Sequence, residues 1–119
     1  MPATQETIGS IGRTQLGLMK PSALLVNVAR AEIIDEEALY DALSQRRIAG
    51  AALDVWYRYP HEPGSAAPAT RPFHELPNVL MTPHVSGWTD GMLDARAKLI
   101  AENIRRAALG ETPLNLVST

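Results

Sequence analysis

Residues 23–30 read Ala23-Leu24-Leu25-Val26-Asn27-Val28-Ala29-Arg30, a continuous apolar run with one Asn, bounded by Pro21 and Arg30. It is too short for a buried helix, and a run of this kind suits a strand covered on both faces. Immediately downstream, Asp35 is placed to cap a helix reaching about Arg46. In it Ala38, Leu39, Ala42 and Leu43 fall at helical spacing while Glu36, Asp41 and Gln45 face out. A second buried strand, Ala51 to Trp56, follows at once. Strand, helix, strand in that order is the repeating unit of a parallel sheet.

Working upstream, Met1 to Gly12 is rich in Thr, Gly, Ser and Pro and reads as a loop. Thr14 caps a short helix through Met19, with Leu16 and Met19 on one face, and Pro21 stops it. Downstream, six of the nine prolines lie between Pro60 and Pro83, a long and stiff connection that includes the simple stretch Gly64–Ala69. The aromatic residues at its start, Trp56, Tyr57 and Tyr59, argue that it is ordered. Within it Pro72 to Leu76 forms one helical turn, and Val79 to Thr82 a third short strand. Asp90 to Leu109 then reads as a helix whose stripe of Leu93, Ala97, Ile100, Ile104 and Ala107 predicts ordinary core packing, with Gly110 ending it. The expected fold is α/β: a parallel sheet of about three strands with flanking helices and one apolar strand edge left open.

Composition sets the outer bounds. The 119 residues, 45% hydrophobic and 20% charged, suffice for one compact domain at most. The absence of Cys excludes disulfides and Cys-ligated zinc or iron–sulfur sites. With 11 basic against 13 acidic side chains and no basic stripe, nucleic acid is not an expected partner. The apolar stretches Ala23–Val26 and Ala49–Leu53 fall far short of the roughly 20 residues that span a bilayer, and residues 1–20 lack a basic start followed by an apolar core. The expectation is a soluble, cytoplasmic protein without a membrane partner. His61, His74 and His84 with Glu62 and Glu75 lack the spacing of a metal site, so no metal is expected.

Three polar residues stand where apolar strands end: Arg30 after LLVNVA, Asp54 within AALDVW and His84 after VLMTP. In an open parallel sheet ligands bind outside the carboxyl ends of the strands, so residues far apart in sequence converge there. Arg offers a fork of donors matched to a carboxylate, and His is the natural proton donor or acceptor for a carbonyl/alcohol pair. Taken singly, each has a plainer reading. Arg30 could pair with Asp35 or Glu36, His84 could be an ordinary buried or capping residue, Asp54 could make a structural hydrogen bond, and the three aromatic residues could be hinge packing.

Longer stretches resolve the choice. Asn27-Val28-Ala29-Arg30-Ala31-Glu32-Ile33-Ile34-Asp35-Glu36, then Ala49-Gly50-Ala51-Ala52-Leu53-Asp54-Val55-Trp56, then Leu76-Pro77-Asn78-Val79-Leu80-Met81-Thr82-Pro83-His84-Val85-Ser86-Gly87 closely resemble the D-isomer-specific 2-hydroxyacid dehydrogenase family. Met1 to Thr7 and Leu18-Met19-Lys20-Pro21 are similar to two further segments of that family, so the resemblance covers essentially the whole chain. It implies an incomplete Rossmann-like sheet. Residues 1–109 would be the C-terminal half of a dinucleotide-binding domain with its returning helix, and 110–119 a tail. It also implies an oxidoreductase using NAD or NADP on small 2-hydroxyacids and 2-oxoacids. By resemblance Arg30 binds and polarises the 2-oxoacid, and His84 protonates the carbonyl oxygen. Asp54, with the backbone of Val28 and Ala29, holds the nicotinamide carboxamide. Thr4 lies toward the cofactor ribose, and His84 to Gly87 closes over the cofactor.

Three departures from the family pattern matter. Where the family has a Glu paired with the His, this chain has Tyr59, which can hydrogen-bond an imidazole but brings no negative charge at pH 7; Glu62 is the alternative if the loop shifts register. Ala31 replaces a common Gly, and would be strained if its φ were positive. Among the eight glycines there is no G-x-G, so the turn that holds the pyrophosphate is missing. Met1 stands where the family has Leu, which is what a truncated, frame-shifted or miscalled gene would leave. The expectation is therefore a dehydrogenase fragment inactive on its own. The alternative is a non-enzymatic domain that completes its sheet with a companion chain or with itself, as a dimer.

Overall fold

The structure, a computed structural model, describes residues 1–59 and 67–117; His61 and Glu62 lie outside them. The described residues form two compact units, Met1–Ser86 and Gly87–Thr119.

In the first unit, helix α1 (Arg13–Gly17) precedes strand β1 (Leu24–Asn27), a 3₁₀ turn (Ala31–Ile33) and helix α2 (Glu36–Ser44). Strand β2 (Gly50–Leu53), a second 3₁₀ turn (Phe73–Glu75) and strand β3 (Val79–Met81) complete it. The three strands are parallel in the order β1-β2-β3, with Val26 beside Ala52 and Ala52 beside Leu80. This is the α/β sheet with flanking helices expected from the sequence.

Helix α2 begins as its first residues dictate. Asp35 Oδ1 accepts the Ala38 N–H at 2.7 Å, and Glu36 and Glu37 put negative charge at the helix N-terminus. Replacing Asp35 with Ala removes this cap; we expect a loss of about 1 kcal/mol in urea unfolding, with unchanged slope. The apolar face of α2 (Ala38, Leu39, Ala42, Leu43) joins Leu25, Ala51, Leu53, Ile48 and Phe73 in one buried cluster.

Three local expectations need correction, and the condition that would strain Ala31 is not met. Helix α1 is entered at Gly12, not Thr14, because the Gln15 side chain accepts the Gly12 N–H at 3.0 Å. Glu36 does not simply face solvent: its carboxylate receives the backbone N–H groups of Thr70 and Arg71 and the Thr70 hydroxyl, tying α2 to the Pro-rich connection. β1 is buried on one face only, with Leu24 73% and Val26 68% exposed, and Leu80 on β3, two strands over, is 65% exposed. An apolar run records the capacity to be covered twice, whereas within this unit α2 and its neighbours fill only the Leu25 face. Ala31 has no positive φ, so the small buried residue opens its 3₁₀ turn without strain.

The second unit is helix α3 (Met92–Ala108) and the segment after it. Gly110, at φ 71°, ends α3 as expected, with Glu111 N–H donating to Arg106 O at 2.8 Å. The following segment folds back on the helix, Leu114 N–H donating to Asn103 Oδ1 at 2.7 Å. Arg105 and Arg106 both grip Glu102 and hold its carboxyl down to about 2. Within this unit the predicted stripe is not covered: no residue of α3 is buried, and Leu93, Ile100 and Ile104 are all exposed. Helical periodicity defines a face but not its partner. No described helix is long and apolar enough to cross a membrane.

Candidate functional site

The carboxyl ends of the three strands are tied edge to edge. Asp54 N–H donates to Asn27 O at 3.0 Å and Thr82 N–H to Leu53 O at 3.0 Å, so the segments following each strand start side by side. After β1, Asn27 builds the loop that carries Val28, Ala29 and Arg30. Its Oδ1 accepts the Ala29 N–H at 3.1 Å and its Nδ2 donates to Arg30 O at 3.0 Å. The exposed Arg30 guanidinium donates to Ala29 O at 2.7 Å, and pairs with neither Asp35 nor Glu36.

Asp54 follows β2 directly and is 2% exposed. Its Oδ1 accepts the Thr82 hydroxyl and, at 2.8 Å, the Val85 N–H; Oδ2 accepts the Ser86 N–H at 2.8 Å. Burial opposes its charge, but the donors from Ser86, Thr82 and Val85 outweigh that and hold the carboxyl well below the usual carboxylate range. The carboxylate thus staples Thr82 to Ser86 into a turn, at whose centre His84 adopts a left-handed backbone with φ 60°.

Tyr59 Oη lies 2.8 Å from His84 Nδ1, with the two ring centroids 5.6 Å apart. Trp56 connects this pair to the turn, its indole N–H donating to Thr82 O at 2.9 Å and its backbone N–H to Tyr59 Oη at 3.3 Å. Trp56, Arg58, Tyr59, Pro68, Met81, Thr82 and Pro83 line an open cleft of about 480 Å³.

The structure therefore joins Tyr59 to His84 and Asp54 to the turn that carries His84. Arg30 makes none of the described hydrogen bonds to these residues. Thr4 sits in the opening turn, its carbonyl accepting from Thr7 and Ile8 N–H, and Gly87 opens the second unit. Asn27 and Thr82 were not singled out as binding or catalytic residues by sequence reasoning, and Trp56 was weighed only together with Tyr57 and Tyr59, as hinge packing or a substrate contact. The single Asn in an apolar strand was the available signal for the first; nothing in the local sequence marks Thr82 as the partner of a carboxylate 28 residues away.

Residues 1–86 match the model of the D-isomer specific 2-hydroxyacid dehydrogenase NAD binding domain. The chain belongs to this family. The matched span ends where the first compact unit ends, at Ser86. Over 118 residues the chain is 40% identical to a glyoxylate reductase of Thermococcus gammatolerans, covering 99% of itself and 33% of that relative. It is similar to the NAD-complexed D-isomer specific 2-hydroxyacid dehydrogenase of Lactobacillus delbrueckii ssp. bulgaricus (31% identity, TM-score 0.83, 98% of this chain and 38% of that one). It is likewise similar to the Xanthobacter autotrophicus Py2 family member crystallised with NADPH and MES (37% identity, TM-score 0.77, 99% and 46%). The chain thus spans about a third of the length of the first of these relatives.

Proposed function

We propose that this chain supplies the carboxyl-terminal part of the cofactor domain of an NAD(P)-dependent oxidoreductase acting on the CH–OH group of small 2-hydroxyacids and, in reverse, on 2-oxoacids. The observation that carries the reading is the Asp54-stapled turn that presents His84 against Tyr59 at the carboxyl end of a parallel sheet. The residues present fit the nicotinamide end of a dinucleotide. Buried Asp54 holds a carboxylate at the carboxyl end of β2, and the exposed Val28 and half-buried Ala29 bring backbone to the same strand ends. No G-x-G turn is present to hold a pyrophosphate. A bound nicotinamide supplies or takes up the hydride. His84 Nε2, facing away from Tyr59, gives or takes the proton of the substrate oxygen. Arg30, with one guanidinium nitrogen held by Ala29 O, pairs its remaining donors with the substrate carboxylate.

The test is a chimera in which this chain follows the amino-terminal two-thirds of the Thermococcus relative, assayed with NADH or NADPH and glyoxylate, pyruvate or hydroxypyruvate. We expect the 119-residue chain alone to be inactive and the chimera to turn over. His84→Ala in the chimera should reduce kcat by at least about a hundredfold. A folded chimera that binds NADH without turnover, or one indifferent to His84→Ala, overturns the reading.

A second reading rests on the open edge of β1 and the exposed Leu24, Val26 and Leu80, an apolar sheet face that invites pairing. In this reading the chain completes its sheet with a companion chain or with itself. Size-exclusion chromatography of the isolated chain should then give a dimer or larger species, and a clean folded monomer excludes self-pairing.

A further inference from the structure

The His84 ring has Tyr59 as its described hydrogen-bond partner, and that phenol is itself constrained. Trp56 N–H approaches Tyr59 Oη at 3.3 Å and, being a donor, occupies one of its acceptor positions. Trp56 cannot readily move away: it is buried, and its indole N–H is bonded to Thr82 O in the turn that carries His84. With one acceptor position engaged, Tyr59 Oη still has its O–H to donate, and the acceptor in line for it is His84 Nδ1 at 2.8 Å. Among the described residues Asp54, the other titratable group at this turn, is committed to Thr82, Val85 and Ser86, while Arg58 lines the neighbouring cleft.

We propose that Tyr59 is a positioning residue that fixes His84 in the neutral tautomer with the proton on Nε2. The ring then presents an N–H, not a lone pair, on the side away from Tyr59. A carboxylate at position 59 would do the opposite, since it can only accept: it draws the ring proton to Nδ1 and its charge favours the imidazolium. The tyrosine hydroxyl can turn from donor to acceptor, so the contact survives ring protonation, but no negative charge retains the added proton. The pair therefore favours an oxygen that accepts a hydrogen bond, a carbonyl or an alkoxide, over removal of a proton from an alcohol. Its catalytic meaning rests on the reading of His84 as the proton-handling group; the pairing is a property of the chain by itself.

The test is the ¹⁵N spectrum of the imidazoles in the 119-residue chain, at pH values above ring titration. We expect His84 to show a protonated-type Nε2 and an unprotonated-type Nδ1 as a single tautomer. Tyr59→Phe should return it to a mixture, with His74 unchanged as the internal control. Tyr59→Glu should move the proton to Nδ1 and keep the ring charged to higher pH than in the parent. A parent His84 carrying its proton on Nδ1, or a Tyr59→Phe spectrum identical to the parent, overturns the proposal, and the parent measurement decides even if a variant fails to fold. A silent chimera beside a fixed Nε2–H tautomer removes the dehydrogenase reading alone, whereas an active chimera with mixed tautomers removes only the pairing.

Discussion

Phe73→Ala should destabilise the first unit by about 3–5 kcal/mol, the usual range for deleting a fully buried aromatic side chain. Phe73 is 1% exposed and sits in the Pro-rich connection. It meets Tyr40 of α2 edge-on, with ring centroids 5.4 Å apart, and stacks against Tyr57 at 6.5 Å. Arg71, two residues earlier, lies over the Tyr40 ring, and Arg58 N–H donates to Pro68 O at 2.9 Å. Removing the ring leaves a cavity between α2 and the connection. It also loosens Pro68 to Arg71, where Pro68 O holds the Arg58 N–H beside Tyr59. Native stability is about 0.05–0.15 kcal/mol per residue, so for a unit of this size the loss is a large share of the total. Urea unfolding of the full chain should show a lower midpoint, and the His84 ring resonances should broaden before the global transition. A loss below about 1 kcal/mol would mean that Phe73 does not pin the connection.

The strand–helix–strand core was legible because it is written in local signals: an apolar run, an Asp placed to cap a helix, and four apolar residues at helical spacing. Asp54 and His84 were legible as strand-end polar residues, and Tyr59 as a substitution in a known pattern. What could not be read was the wiring between them. Thr82 and Trp56 act through partners 26 to 28 residues away, and sequence position does not say which donors a buried carboxylate will meet. The exposed faces of β1 and α3 were misread for the related reason that periodicity announces a surface to be covered without saying what covers it. The entry to α1 was missed because a Gly backbone held by a Gln side chain competes with a Thr hydroxyl, and both patterns were present.

Asp54→Ala should release the turn that carries His84. The substitution leaves the Thr82 hydroxyl and the Val85 and Ser86 N–H groups without their acceptor, and a donor stripped of a buried partner bears its desolvation cost in full. His84 keeps its left-handed φ only while the surrounding bonds over-determine it, so the turn should relax and Tyr59 lose its partner. We expect amide exchange at Val85 and Ser86 to quicken by about tenfold or more, the equivalent of one lost hydrogen bond at each site. Asp54→Asn separates charge from shape. The folded carboxyl is held below its ordinary value of 3.8, so its contribution to stability is fully present above that value and is lost as pH falls through the folded-state value. The parent should therefore lose stability on acidification below about pH 4, and Asp54→Asn should lose less over the same interval, because an amide has no proton to take up. Acid titrations of both proteins followed by circular dichroism measure the difference. Parallel acid limbs would show that the three donors, rather than the negative charge they surround, are what the turn requires.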